Sequence, residues 1–253
     1  MAALLAVNAI SKSYGGVSAL DGCTLKFDDG AITGLIGPNG AGKTTLLNVI
    51  SGFAKPDAGS IAFRGKDTTG AQPHALARLG VVRTFQIVRE LGSLTVLENL
   101  LLSGARQTGE TLTGALFRSQ AVREEERANA EQARALLRRF NLWHLSDEPA
   151  VALSGGQKKL LELARALLLK PRLILLDEPA AGVSPPLLAT IIGLIKELRD
   201  DGISFGIVEH DLHVVAELCD EVHVLAQGST LVSGDFDHVI SDARVIDAYL
   251  GVQ

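Results

Sequence analysis

The stretch Gly37-Pro38-Asn39-Gly40-Ala41-Gly42-Lys43-Thr44-Thr45 decides the fold. It fits G-x-x-x-x-G-K-[ST], the pattern of a phosphate-binding loop. Its flanks have the required character. Ala31-Ile32-Thr33-Gly34-Leu35-Ile36 reads as a buried strand, and residues 45–50 read as a helix with Gly52 as its C-terminal cap. Strand, glycine loop and helix together make an anion site. Glycines let backbone N–H groups turn inward, and the helix N-terminus adds partial positive charge. In such a loop Lys43 reaches the β- and γ-phosphates and the Thr44 hydroxyl ligates Mg²⁺. The expectation is a chain that binds a nucleoside triphosphate.

Composition narrows the class. With 253 residues and 47% apolar content, the chain can bury one large core, or one core and a subdomain. The net charge is −5 and no long basic block occurs, which argues against gripping nucleic acid through its phosphates. Cys23 and Cys219 lie far apart in apolar surroundings and in no metal-ligand spacing, so both are expected as reduced, buried thiols. No run approaches the roughly 18–20 apolar residues of a membrane span. Residues 1–7 lack a basic start and read as a first strand, not a signal peptide. Any membrane role is therefore expected to come through a partner.

Outward from the loop, residues 4–10 and 23–28 read as strands with Tyr14-Gly15-Gly16 in a turn between them, and residues 59–65 as another short strand closed by glycines. Residues 81–86 read as a strand ending on Gln86. From about residue 95 to 140 the chain is helical and more charged. Thr95 and Glu98 have capping-box spacing, residues 104–114 read as a loop, Arg123–Arg127 as a solvated helix face, and Leu136, Leu137 and Phe140 as that helix's apolar stripe. A strong helix follows Gln157. The run Leu173-Ile174-Leu175-Leu176-Asp177-Glu178 reads as a central parallel strand with both faces buried. Pro185 and Pro186 open a helix to about Arg199, residues 203–208 form a further buried strand ending at Glu209-His210, and Gln227-Gly228 turns a terminal hairpin. Alternating strands and helices predict an α/β fold, a mostly parallel sheet with helices on both faces.

Two features add chemistry. Asp177-Glu178 ends a buried strand. Beside a phosphate loop, the first acid sits by Mg²⁺ and the second orients the attacking water. Leu153-Ser154-Gly155-Gly156-Gln157 places a serine and two glycines before a helix, a second anion-binding N-terminus. One ATP does not need two such sites from one subunit, so this loop is expected over the γ-phosphate of an ATP held by another subunit.

With these motifs the chain resembles the ATP-binding cassette (ABC) ATPases of membrane transporters. Leu153–Gln157 matches their signature motif, Gln86 their glutamine loop and His210 their switch histidine, and Tyr14 sits where the family stacks an aromatic on adenine. All six features occur in the family's order across nearly the whole chain. The resemblance implies a P-loop NTPase (RecA-like) core with an antiparallel β subdomain and an α-helical signature subdomain. It divides residues 1–253 into a core of 1–86 plus 166–253 and a helical part of 87–165. It implies ATP and Mg²⁺ as ligands, with Thr44, Gln86 and Asp177 toward the metal and Glu178, His210 and Gln86 toward the reaction. Tyr14, the loop residues 37–45 and Ser154, Gly155, Gly156 and Gln157 would hold nucleotide. One departure stands out: the family's interface loop after Glu178-Pro179 ends in an aspartate, and here that position is Ser184.

Arg83-Thr84-Phe85-Gln86, residues 177–182, Val208-Glu209-His210-Asp211-Leu212 and the ending Val245-Ile246-Asp247-Ala248-Tyr249-Leu250-Gly251 resemble the G-type ATPase subunit of branched-chain amino acid importers. That implies two permease subunits, a second ATPase subunit and an extracytoplasmic binding protein as partners, at the cytoplasmic face of the inner or plasma membrane. Related importers carry urea or short amides. Alternatives are the ATPase of a lipopolysaccharide export system and a soluble, non-transport ABC ATPase. The apolar segment Ile87-Val88-Arg89-Glu90-Leu91 after Gln86 is expected to dock a short cytoplasmic helix of the permease.

Overall fold

A computed structural model describes residues 3–84, 91–103 and 120–250. In chain order these form β1 (Ala3–Tyr14), β2 (Val17–Asp28), β3 (Ile32–Ile36), α1 (Lys43–Ile50), β4 (Ala58–Phe63), β5 (Lys66–Asp67), α2 (Pro73–Leu79) and β6 (Val81–Arg83). Helices α3 (Val96–Leu101), α4 (Gln120–Arg139) and α5 (Gly155–Leu168) follow. The chain closes with β7 (Leu173–Asp177), α6 (Pro185–Asp200), β8 (Ser204–Val208), α7 (Leu212–Leu218), β9 (Glu221–Ala226), β10 (Ser229–Gly234), α8 (Phe236–Ser241) and α9 (Ala243–Leu250). They separate into two compact units: residues 1–86, 172–181 and 189–253, and residues 87–171 with 182–188.

The first unit holds two sheets. One is antiparallel, in the order β2-β1-β4-β5. The other has six strands in the order β10-β9-β3-β8-β7-β6, with every pair parallel except the β9–β10 hairpin. Strands β3, β7 and β8 are buried at every position, as their mostly apolar sequences dictate, with Thr33, Asp177 and Ser204 the buried polar exceptions. Leu5, Val7, Ile10 and Phe27 of the antiparallel ribbon are buried in one cluster with Leu46, Leu47 and Ile50 of α1, so the helix behind the glycine loop is fixed from below. The first strand is longer than the expected residues 4–10. Register shifts at Val7/Ile10 and beyond re-aim its side chains and break the alternation that a plain strand would show. The strand expected over 81–86 ends at Arg83. The Thr84 N–H still donates to the Leu175 carbonyl at 3.0 Å, but Thr84 is not in the ladder, and residues 85–90 lie outside the described residues.

In the second unit, α3, α4 and α5 pack around Val96, Leu100, Ala133, Leu137, Leu160 and Leu161. The Thr95 side chain accepts from the Glu98 N–H while Glu98 accepts from the Thr95 N–H, the expected capping box. Asn99 is fully buried and ties down the turn before α3. Its Oδ1 accepts from the Leu91 N–H at 3.0 Å, and its Nδ2 donates to the carbonyls of Leu91 and Thr95 at 3.1 and 3.0 Å. On α4, Arg123, Glu124, Glu126 and Arg127 are exposed; of the expected apolar stripe Leu137 is buried, Leu136 is half-buried, and Phe140, just past the helix end, is buried. The loop expected over 104–114 lies outside the described residues.

Candidate active site

The phosphate loop follows β3, Asp177 closes β7, and Glu209-His210 follow β8. These strands are neighbours in the order β3-β8-β7 and parallel, so all three groups emerge at one sheet edge, where open α/β sheets bind ligands. The loop needs its glycines for two reasons. Gly42 caps α1 in the left-handed region (φ 102°). A Cβ on Gly37 (φ 147°) would collide with the Leu225 carbonyl. Residues 39–45 line a cavity of about 220 Å³, walled on its other sides by Ala19, Glu178 and Val208. Lys43 is half-buried, and its Nζ donates to the carbonyls of Gly37 and Pro38 at 2.6 and 2.9 Å. Burial pushes the Lys43 ammonium below its usual range, against the opposing pull of the Glu178 and Asp177 carboxylates. An entering triphosphate would replace two carbonyl dipoles with full negative charge, which favours the charged lysine.

Asp177 is buried. Its Oδ2 accepts from Arg83 Nη2 at 2.8 Å, and the same guanidinium donates from Nη1 to Asn48 Oδ1 on α1 at 2.6 Å. One arginine thus joins the end of β6, the helix behind the loop and the end of β7. Glu178 lies in the left-handed region (φ 50°), which is sterically costly for a side chain with a Cβ and recurs at functional sites. Its N–H donates to the Val208 carbonyl at 2.9 Å, and its Oε1 lies 3.9 Å from Nδ1 of the exposed His210. Thr44 is exposed at the start of α1, on the cavity with Glu178. A hydroxyl and one or two carboxylates, completed by phosphate and water oxygens, are the donor set that Mg²⁺ takes in nucleotide sites. No group of three His, Cys, Asp or Glu that could by itself hold a metal ion occurs among the described residues.

Tyr14 ends β1 just before the Gly15-Gly16 turn. Its ring is exposed, with Lys12 Nζ 5.3 Å from its centroid, and it is not part of the cavity wall. Gln86 lies outside the described residues. In the second unit Ser154 caps α5: its Oγ accepts from the Gln157 N–H at 3.3 Å, and Gln157 Oε1 accepts from the Ser154 N–H at 2.9 Å. Gly155 has open space where a Cβ would stand, whereas a Cβ on Gly156 would collide with Leu187. One glycine leaves the helix start approachable and the other lets it pack. Ser184, in the aspartate position, is exposed just before α6.

Sequence reasoning gave no task to Arg83 or to Glu209. For Glu209 a signal existed, an acidic residue directly after a wholly buried strand and before a site histidine. For Arg83 none did, because its partners are 35 and 94 positions away.

The ABC transporter family model matches residues 20–181. The chain belongs to the ABC transporter family. Over 252 residues the cassette is 42% identical to a probable branched-chain amino acid transport ATP-binding protein of Archaeoglobus fulgidus, covering 99% of this chain and 96% of that one. It is 37% identical to a high-affinity branched-chain amino acid transport ATP-binding protein of Pseudomonas aeruginosa, with 98% of both chains covered. A crystal structure of the ADP conformation of an ATP-binding cassette from an ABC transporter superposes with a TM-score of 0.86 at 41% identity, over 99% of this cassette and 100% of that chain. The cassette is thus a nucleotide-binding ATPase subunit of an ABC transporter. Among its described residues no helix is long and apolar enough to cross a membrane.

Proposed function

We propose that this cassette hydrolyses ATP to drive import of branched-chain amino acids or related amino acids and amides. The transport class rests on the names of the relatives and the chemistry on one observation, the Glu178 carboxyl on the wall of the phosphate-loop cavity with the His210 ring 3.9 Å from it. Lys43 and the backbone N–H groups of residues 40–45 would hold the β- and γ-phosphates, and Tyr14 would stack on adenine. Mg²⁺, held by Thr44, Asp177 and Gln86 with the phosphates, would neutralise the developing charge. Glu178 would align the water in line with the γ-phosphate and take its proton, and His210 would hold the γ-phosphate oxygens. Ser154 and Gly155 would close over the γ-phosphate of a second ATPase subunit.

Two membrane-embedded permease subunits, fed by an extracytoplasmic binding protein, would dock at the segment after Gln86, on the cytoplasmic face of the membrane. Leu91, the described residue of that segment, is exposed, while Val96 at the start of α3 is fully buried and packs its own unit. The test is Glu178→Gln. ATP affinity should hold and turnover should fall by about 10²–10³-fold. Turnover at the parent rate would remove Glu178 as the base.

A further inference from the structure

Glu209 is the residue between the fully buried strand β8 and the exposed His210. Its side chain is 0% exposed, a costly place for a carboxyl unless its oxygens are satisfied. Both are, and the partners are informative. Oε1 accepts from the Ala180 N–H at 2.7 Å, and Oε2 accepts from the His210 N–H at 3.1 Å. Ala180 is two residues past Glu178, in the turn that the Ala181 N–H closes on the Glu178 carbonyl at 3.2 Å. Glu178 itself is held in the left-handed region. A strained backbone persists only where its surroundings over-determine it.

We infer that Glu209 is a positioning residue for hydrolysis. Its two oxygens clamp the turn carrying Glu178 to the backbone of His210 and thereby fix the spacing of that pair. The inference rests on the reading of Glu178 as the base. A single acceptor could hold either loop; a carboxylate two acceptors wide holds both at once. Glu209 does not itself line the phosphate cavity, so loss of the clamp should leave ATP binding alone and misplace the groups used only during hydrolysis. Misplacement of about 1 Å costs up to about 10²-fold in rate.

Glu209→Gln carries the test because it keeps shape and volume. The amide nitrogen cannot accept, so one of the two N–H groups loses its partner. ATPase rates and fluorescent-ATP affinity are measured for the parent, Glu209→Gln, Glu209→Ala and Glu178→Gln. Expected is ATP affinity and KM within about twofold of the parent, with kcat down about tenfold in Glu209→Gln and further, toward about 10²-fold, in Glu209→Ala. In the Glu178→Gln background Glu209→Gln should add less than its loss in the parent, since both changes act on the Glu178–His210 pair. Parent-like kcat in Glu209→Gln beside an inactive Glu178→Gln would overturn the clamp and leave the base assignment standing. ATP affinity falling in step with kcat would overturn it too, because that marks a fold-wide effect. Parent-like turnover in Glu178→Gln would overturn both readings together.

Discussion

Arg83 shows how much one side chain can decide in this site. Its guanidinium and the Asp177 carboxylate are 7% and 3% exposed, so each depends on the other to offset lost hydration. The Nη1 bond to Asn48 makes the same arginine a strut between α1 and the end of β7. Arg83→Met should therefore cost more than a lost contact, because it leaves Asp177 charged and buried without its partner. A loss of about 3–5 kcal/mol is expected in urea unfolding of the nucleotide-free protein. Adding Asp177→Asn removes the orphaned charge and should recover much of it. A single variant within about 1 kcal/mol of the parent would mean that water, not Arg83, satisfies the carboxylate.

Strand β9 carries a different buried titratable group. The His223 Nε2 lies 2.9 Å from the Lys26 carbonyl, which only accepts, so Nε2 bears the proton and Nδ1 accepts from the Ser233 hydroxyl at 2.6 Å. The neutral ring thus pins β9 to β10 and to β2. Burial lowers its pKa below the usual value of about 6.5; the Lys26 carbonyl, Glu221 and Asp28 pull it back up, and the Lys26 charge adds to the lowering. Because the folded value is depressed, the unfolded chain binds the proton more readily. This contribution is fully present above about 6.5 and is lost as pH falls from there through the folded value. The melting temperature should drop between pH 7 and 5.5, and His223→Gln should flatten that drop. An unchanged slope in the variant would assign it to other groups. None of this was legible in the sequence, where His223 sits inside an apolar strand like any packed residue. The elements that were legible had local signals: nine loop residues with fixed spacing, apolar runs that can only be central strands, Thr95 and Glu98 three apart. Helix α2 has such a signal too, with Pro73 at its first position and Gly80 in the left-handed conformation at its end. What stayed hidden depends on pairing between distant strands: Arg83 with Asp177, Glu209 with Ala180, and the bulges that lengthen β1.

Among the described residues each compact unit has one helix start proposed to face a phosphate, α1 in the first and α5 in the second, and α1 has Lys43 and Glu178 on the same cavity. In the second, Ser154 already has an occupation as the cap of α5, and Gly155 beside it is open. The two tasks of Ser154, capping its own helix and facing a partner's γ-phosphate, can be separated by one substitution. Aspartate is as good an N-cap as serine and suits the helix dipole, so Ser154→Asp should keep the urea midpoint within about 1 kcal/mol of the parent. It also sets a negative charge where a phosphate would arrive, and like charges at contact strongly disfavour association. With hydrolysis blocked by Glu178→Gln and MgATP present, sedimentation should show the 26.7 kDa chain shift to about twice its mass, with a second copy or with an equimolar second ATPase subunit. The Glu178→Gln chain that also carries Ser154→Asp should bind ATP equally well and fail to offer its signature face, so self-pairing should vanish. Pairing that persists undiminished at physiological salt would mean that the α5 N-terminus does not meet the partner's phosphate, and that Ser154 is a helix cap and nothing more.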